Sequence, residues 1–207
     1  MLRIIRWSAI GLIIALAVVW IGKWTLDGGP AGSGTAGIGV SVPGGVQVGG
    51  PFKLTDSNGK TVTDADYRGR WTLVYFGYTF CPDVCPTELQ VITGALHELG
   101  PLADKITPIF VTIDPERDTP KAIGEYVKLF DERLVGLTGS PADIAAVARK
   151  YRVYYAKAEG KTSGDYLMDH SSFLYLMGPD GRLRMLIKPG TTSAEIAADI
   201  RRQMNAS

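Results

Sequence analysis

The apolar positions of this chain change their period along its length, and each change marks an element. Residues 4–21 are apolar apart from Ser8 and Arg6, with no polar face. A helix spanning a hydrocarbon core needs about 20 such residues. Residues 28–50 read GGPAGSGTAGIGVSVPGGVQVGG, without charge or helical period. That is the composition of a flexible linker, although residues 37–48 also permit a poor edge strand. Residues 52–55 and 61–63 alternate on either side of Asn58-Gly59, which predicts a hairpin. Residues 71–78 (WTLVYFGY) and 106–113 are β-branched and aromatic runs suited to buried strands.

Helical spacing separates these runs. Leu89, Ile92, Leu96 and Leu99 recur along residues 86–99, and Ile123, Val127 and Phe130 along 121–130. Ile144, Val147, Ala148 and Tyr151 recur along 141–151. A short strand is predicted at 135–137. Residues 172–177 and 183–187 flank Gly178-Pro179-Asp180-Gly181 as a second hairpin. An amphipathic helix at 192–204, capped by Thr192 or Ser193, closes the chain. The order is hairpin, β, α, β, α, β, α, hairpin, α. It predicts an α/β fold with a mixed central sheet covered by helices.

Three segments follow: residues 1–27, a membrane anchor; 28–50, the linker; and 51–207, one folded domain. Arg3 and Arg6 favour an N-inside orientation, and Trp7, Trp20 and Trp24 suit the interfaces. Trp20-Ile21-Gly22-Lys23-Trp24 offers no small-residue cleavage site, so retention is expected over removal as a signal peptide. The formal net charge of +1 and the lack of a basic stripe leave no footprint for nucleic acid. A domain beyond the membrane lies where thiols are oxidised unless they are kept reduced or metal-bound.

The chain has two cysteines, Cys81 and Cys85, and two histidines, His97 and His170. The cysteines share the hexapeptide CPDVCP, in which both precede prolines. That places both in extended or turn conformations, with Cys85 at a helix N-cap, Pro86 at the first helical position and Glu88 at the third. Two sulfurs would then face outward together over a helix N-terminus. The helix end lowers a thiolate pKa, while Asp83 between them opposes this. Four readings fit: a local Cys81–Cys85 disulfide, a redox dithiol one residue longer than Cys-x-x-Cys, a thiol peroxidase, and a soft-metal site. The disulfide would close too short a loop to stabilise much. With His170 as third ligand, three donors suit an open site, and copper over zinc. His170 is expected on a loop before a strand, and His97 on a solvated helix face. Asp118 or Thr119 is expected to cap the helix after Pro120. Asp83, Asp114 and Asp169 are expected to touch the ligands' surroundings or a partner.

Three segments carry a resemblance: FGYTFCPDVCPTEL at 76–89, IDPERDTP at 113–120 and DHSSFLYLMGPDG at 169–181. Together they resemble the signatures of the Sco/SenC family, over roughly residues 50–203. The resemblance implies a thioredoxin-like fold with a membrane anchor. It implies copper, as Cu(I) and in some states Cu(II), on Cys81, Cys85 and His170. It also implies delivery of copper to the binuclear site of cytochrome c oxidase subunit II. The alternative is a thiol–disulfide oxidoreductase that reduces the cysteines of that subunit. Other periplasmic copper chaperones and thiol reductants are further expected partners. With no Arg/Ser-rich transit segment ahead of the apolar stretch, the expected setting is a bacterial inner membrane, with the domain in the periplasm.

Overall fold

The structure is a computed structural model and describes residues 47–158 and 166–206. The apolar stretch at 4–21 and the linker up to residue 46 lie outside them. Among the described residues no helix is long and apolar enough to cross a membrane.

Among the described residues, nine strands and four α-helices form, in the predicted order apart from an added pair of strands before the second hairpin. They are β1 (Lys53–Asp56), β2 (Thr61–Thr63), β3 (Trp71–Gly77), α1 (Val84–Leu99), β4 (Ile106–Thr112), α2 (Pro120–Lys128) and β5 (Val135–Thr138). Then come α3 (Pro141–Tyr151), β6 (Tyr155–Lys157), β7 (Met168–His170), β8 (Leu174–Met177), β9 (Leu183–Ile187) and α4 (Ser193–Asn205). Seven strands form one mixed sheet in the order β2-β1-β5-β4-β3-β8-β9. Its centre, β5-β4-β3, is parallel, and the hairpins β1–β2 and β8–β9 extend it antiparallel on either side. The parallel strands are largely apolar because helices cover both faces of the sheet. On one face Tyr126 of α2 packs on Phe110 and α1 brings Cys85 against β3, with α4 packed on α1. On the other, Tyr151 of α3 meets Phe76 and Tyr175.

Pro108 lies within β4, where a missing N–H is ordinarily costly. β5 pairs with β4 only from Ile109 onward, so one side of Pro108 has no partner strand. Helix starts are set by side chains. The Thr119 hydroxyl accepts from Ala122 N at 3.2 Å, and Ser140 with Asp143 and Thr192 with Glu195 form reciprocal caps. Phe130 lies beyond the end of α2, half-buried against the core.

Two expectations are corrected. Helix α1 begins at Val84 with Asp83 as N-cap, so Cys85 and Pro86 are its second and third residues, not its cap and first. Asp83 O closes the first turn by accepting from Thr87 N at 3.2 Å and Thr87 Oγ1 at 2.9 Å. Pro86 fits there because first-turn N–H groups have no intrahelical acceptor. Glu88 is therefore the fifth helical residue; it is buried and accepts from Gly190 N at 3.4 Å. Secondly, the predicted order has no strands between α3 and the second hairpin, and two form there. Residues 155–157 pair antiparallel with 168–170 as a ribbon separate from the main sheet. Residues 159–165 lie outside the described ones.

Candidate metal centre

Strand β3 ends at Gly77 beside the end of β4, and the chain runs through Tyr78, Thr79 and Phe80 into Cys81. Asp118, fully buried, fixes this passage. Its carboxylate accepts from Thr79 N at 3.1 Å, Thr79 Oγ1 at 2.5 Å and Thr112 Oγ1 at 2.6 Å. Burial raises its pKa, and these hydrogen bonds oppose the rise. Of the two expected caps for α2, Thr119 therefore serves, and Asp118 is drawn inside.

Three donors converge where the passage enters α1. The sulfurs of Cys81 and Cys85 and a ring nitrogen of His170 all lie within 4.8 Å of one another. Cys85 Sγ is 3.5 Å from His170 Nε2, and Cys85 N donates to Cys81 Sγ at 3.4 Å. His170 is the last residue of β7 rather than a loop residue, paired with Tyr155. Its Nδ1–H donates to Ser171 O at 3.1 Å, which leaves the Nε2 lone pair for the sulfurs. Tyr75 and Tyr78 present their rings edge-on to the imidazole at 6.3 and 6.0 Å between centroids. The Tyr78 hydroxyl also accepts from Met168 N at 3.1 Å, drawing β7 toward the thiols.

The two thiols are not equivalent, which corrects the expectation that both face outward. Cys81 is partly exposed and Cys85 is fully buried. Cys85 is buried because α1 begins early and sets its side chain on the floor made by Gly77. A Cβ at position 77 would lie 2.9 Å from Cys85 Sγ and 2.8 Å from Phe110 Cε2. Only glycine leaves that room. Gly77→Ala is therefore expected to cost about 1–3 kcal/mol by overpacking and to displace Cys85. Urea unfolding of the metal-free protein checks the first, and an unchanged midpoint would contradict it.

Both cysteines are free thiols in this structure. The neighbouring Cys85 side chain foremost pulls the Cys81 pKa down to about 5, aided by the N–H groups of Asp83 and Cys85 and by His170 and opposed by burial. The Cys81 sulfur beside it and burial push the Cys85 thiol up. Of the two, Cys81 is the sulfur favoured as thiolate. Burial foremost, then Cys85, pushes the Tyr75 phenol up as well.

The three carboxylates expected around the ligands or against a partner lie outside the donor set. Asp83 and Asp169 are exposed, and Asp114 is buried with Arg117 and the Tyr166 hydroxyl, the latter at 2.7 Å. His97 is on an exposed face of α1, as expected. The sequence reading missed Gly77, Tyr78, Arg117 and the inward turn of Asp118. A glycine ending an otherwise bulky strand was the available signal for close approach at position 77.

Two cysteine sulfurs and one imidazole form a soft donor set, suited to copper and short of the four protein ligands of structural zinc. Comparisons with known proteins agree with this chemistry. The family model described as SCO1/SenC matches residues 41–205. A mouse (Mus musculus) protein named SCO1 homolog, mitochondrial, is 47% identical over 161 residues, covering 77% of this chain and 57% of the relative. The chain spans about half the length of the curated relatives it matches. Bradyrhizobium japonicum ScoI, solved with copper bound, is 50% identical with a TM-score of 0.70, over 75% of this chain and 99% of that one. Yeast Sco1, also solved with copper bound, is 34% identical with a TM-score of 0.73, over 78% and 91%.

Proposed function

This chain belongs to the SCO1/SenC family, and on that premise we propose that it is a copper metallochaperone of cytochrome c oxidase assembly. The observation that carries the reading is the convergence of Cys81, Cys85 and His170 within 4.8 Å, with Nε2 turned to the sulfurs. These three residues hold copper as cargo, carried as Cu(I). The copper-bound states of the Bradyrhizobium and yeast relatives support copper as the cargo, and the soft thiolate donors favour Cu(I). The recipient is the binuclear copper site of oxidase subunit II. A three-donor set leaves room for a recipient thiolate to join the metal before Cys81 leaves. Residues 1–27 anchor the chain in a bacterial inner membrane, residues 28–50 tether it, and the domain from residue 51 works in the periplasm. A tether of this composition raises the effective concentration of a partner in the same membrane.

A second activity has its own observation. A Cys81 thiolate with a pKa of about 5, beside a free Cys85 thiol, is equipped for dithiol exchange with an oxidised subunit II. Cys81 would attack a disulfide sulfur and release the partner's thiolate. Cys85 would then close on the mixed disulfide, leaving this chain oxidised and the partner reduced.

The test uses the full chain in lipid nanodiscs, loaded with Cu(I) and mixed with copper-free subunit II domain. One copper per chain is expected, with X-ray absorption showing two sulfur and one nitrogen neighbours, and with movement of that copper to the recipient. Copper retained on sulfur alone, or lost to a glutathione wash, would overturn the assignment.

A further inference from the structure

We propose that Arg117 is the positioning residue that holds strand β7, and with it His170, against the thiol pair. The inference rests on the metal reading of that site. It begins from a weakness in the ribbon that carries the imidazole. Strands β6 and β7 pair over three residues only, apart from the main sheet. An isolated two-stranded pair is marginal in water. The ribbon continues through Ala158 N to Leu167 O at 2.8 Å and Ser171 N to Tyr154 O at 3.0 Å. These bonds join the ribbon to itself. They do not fasten it to the sulfurs.

Polar contacts tie β7 and its approach to the domain. One is the Tyr78 hydroxyl on Met168 N. Another set centres on Arg117. Its guanidinium carbon lies 3.7 Å from the Tyr166 ring centroid and 4.7 Å from that of Phe80, and 5.8 Å from that of Tyr78. Nη1 donates to Tyr166 O at 2.9 Å, and Nε donates to Asp114. Asp114 in turn accepts from the Tyr166 hydroxyl. Lys157 of β6 covers Tyr166 at 4.4 Å and pairs with Glu116 at 2.7 Å. Arg117 thus touches Phe80, the residue before Cys81, and Tyr166, which leads into β7. It spans the two pieces of chain that supply the ligands.

The chemistry of the contact requires arginine. Nη2 is buried without an oxygen partner, so the charge depends on the aromatic faces around it. A planar fork can stack on Tyr166 while bonding Asp114 and Tyr166 O. A lysine ammonium offers one point charge and no plane.

The test uses the full chain, with Arg117→Ala, Arg117→Lys, His170→Ala and the double variant Arg117→Ala/His170→Ala. In the metal-free protein, amide exchange at residues 168–170 is expected to quicken by about 10-fold or more in Arg117→Ala, with the amides of β3 and β4 unchanged. Copper affinity, measured by chelator competition, is expected to fall by about 10–100-fold, the usual range when a ligand loses its support. In the His170→Ala background the same change is expected to cost less than about 2-fold, because no imidazole remains to be positioned. Arg117→Lys gives the same pattern, and guards against a misfolded alanine variant. Equal losses in both backgrounds, or unchanged exchange at 168–170, would overturn the proposal. Failure of the wild type to bind copper would sink the metal reading alone, since the exchange arm decides the fastening without metal.

Discussion

Replacing His170 by alanine is expected to weaken copper binding by more than about 100-fold, because losing a support already costs 10–100-fold and here the ligand itself goes. Dithiol exchange through Cys81 and Cys85 should survive the same change. The thiolate at Cys81 depends first on the neighbouring Cys85 side chain, and His170 adds a smaller attraction. The variant therefore separates the two activities proposed for one pair of sulfurs. Chelator competition reads the first and reduction of an oxidised two-cysteine substrate reads the second. An unchanged affinity removes His170 from the ligand set. A collapse of both activities would mean that the imidazole serves the thiols and not the metal.

The second large effect is an asymmetry between the thiols. In the metal-free protein, iodoacetamide is expected to modify Cys81 at least about 100-fold faster than Cys85 at pH 7, because the thiolate is the nucleophile. The rate at Cys81 should stay flat down to about pH 6 and halve near 5, where its pKa is held. An ordinary thiol would instead titrate near about 8.5. Such a midpoint at Cys81, or equal labelling by mass spectrometry, would contradict this asymmetry between the thiols. Linkage fixes the sign for stability. The depressed Cys81 stabilises the fold fully above the ordinary thiol pKa, and that share is lost as pH falls toward 5. The raised Cys85 acts in the opposite sense, and its share is lost as pH climbs above the ordinary range. The metal-free pair therefore stabilises most near about pH 8.5.

Most elements could be read from the chain because periodicity and burial agree. Trp71 to Gly77 is apolar except at Thr72 and becomes a central strand buried on both faces. Ile144, Val147, Ala148 and Tyr151 share the inner side of α3, whose bounds match the pattern. The site residues were also legible, since the chain spends its two cysteines and one of its two histidines on them. What escaped was set by contacts distant in sequence. A pre-proline residue avoids the α region on average, yet Cys85 enters the helix because Asp83 O closes the turn with Thr87. The ribbon strands of three residues are too short for any period to appear. Asp118 reads as a helix cap until Thr79 and Thr112 take both its oxygens.

The floor that Gly77 leaves for Cys85 gives the centre a front and a back. A docking protein can reach Cys81 and His170 from solvent, but not a sulfur with no exposed surface. Copper held by these three atoms, as proposed, would leave in a set order. The recipient would displace the outer ligands first, and Cys85 would be the last bond to break. That order would keep the ion bound throughout the exchange, while the recipient's higher affinity sets the direction of the handover.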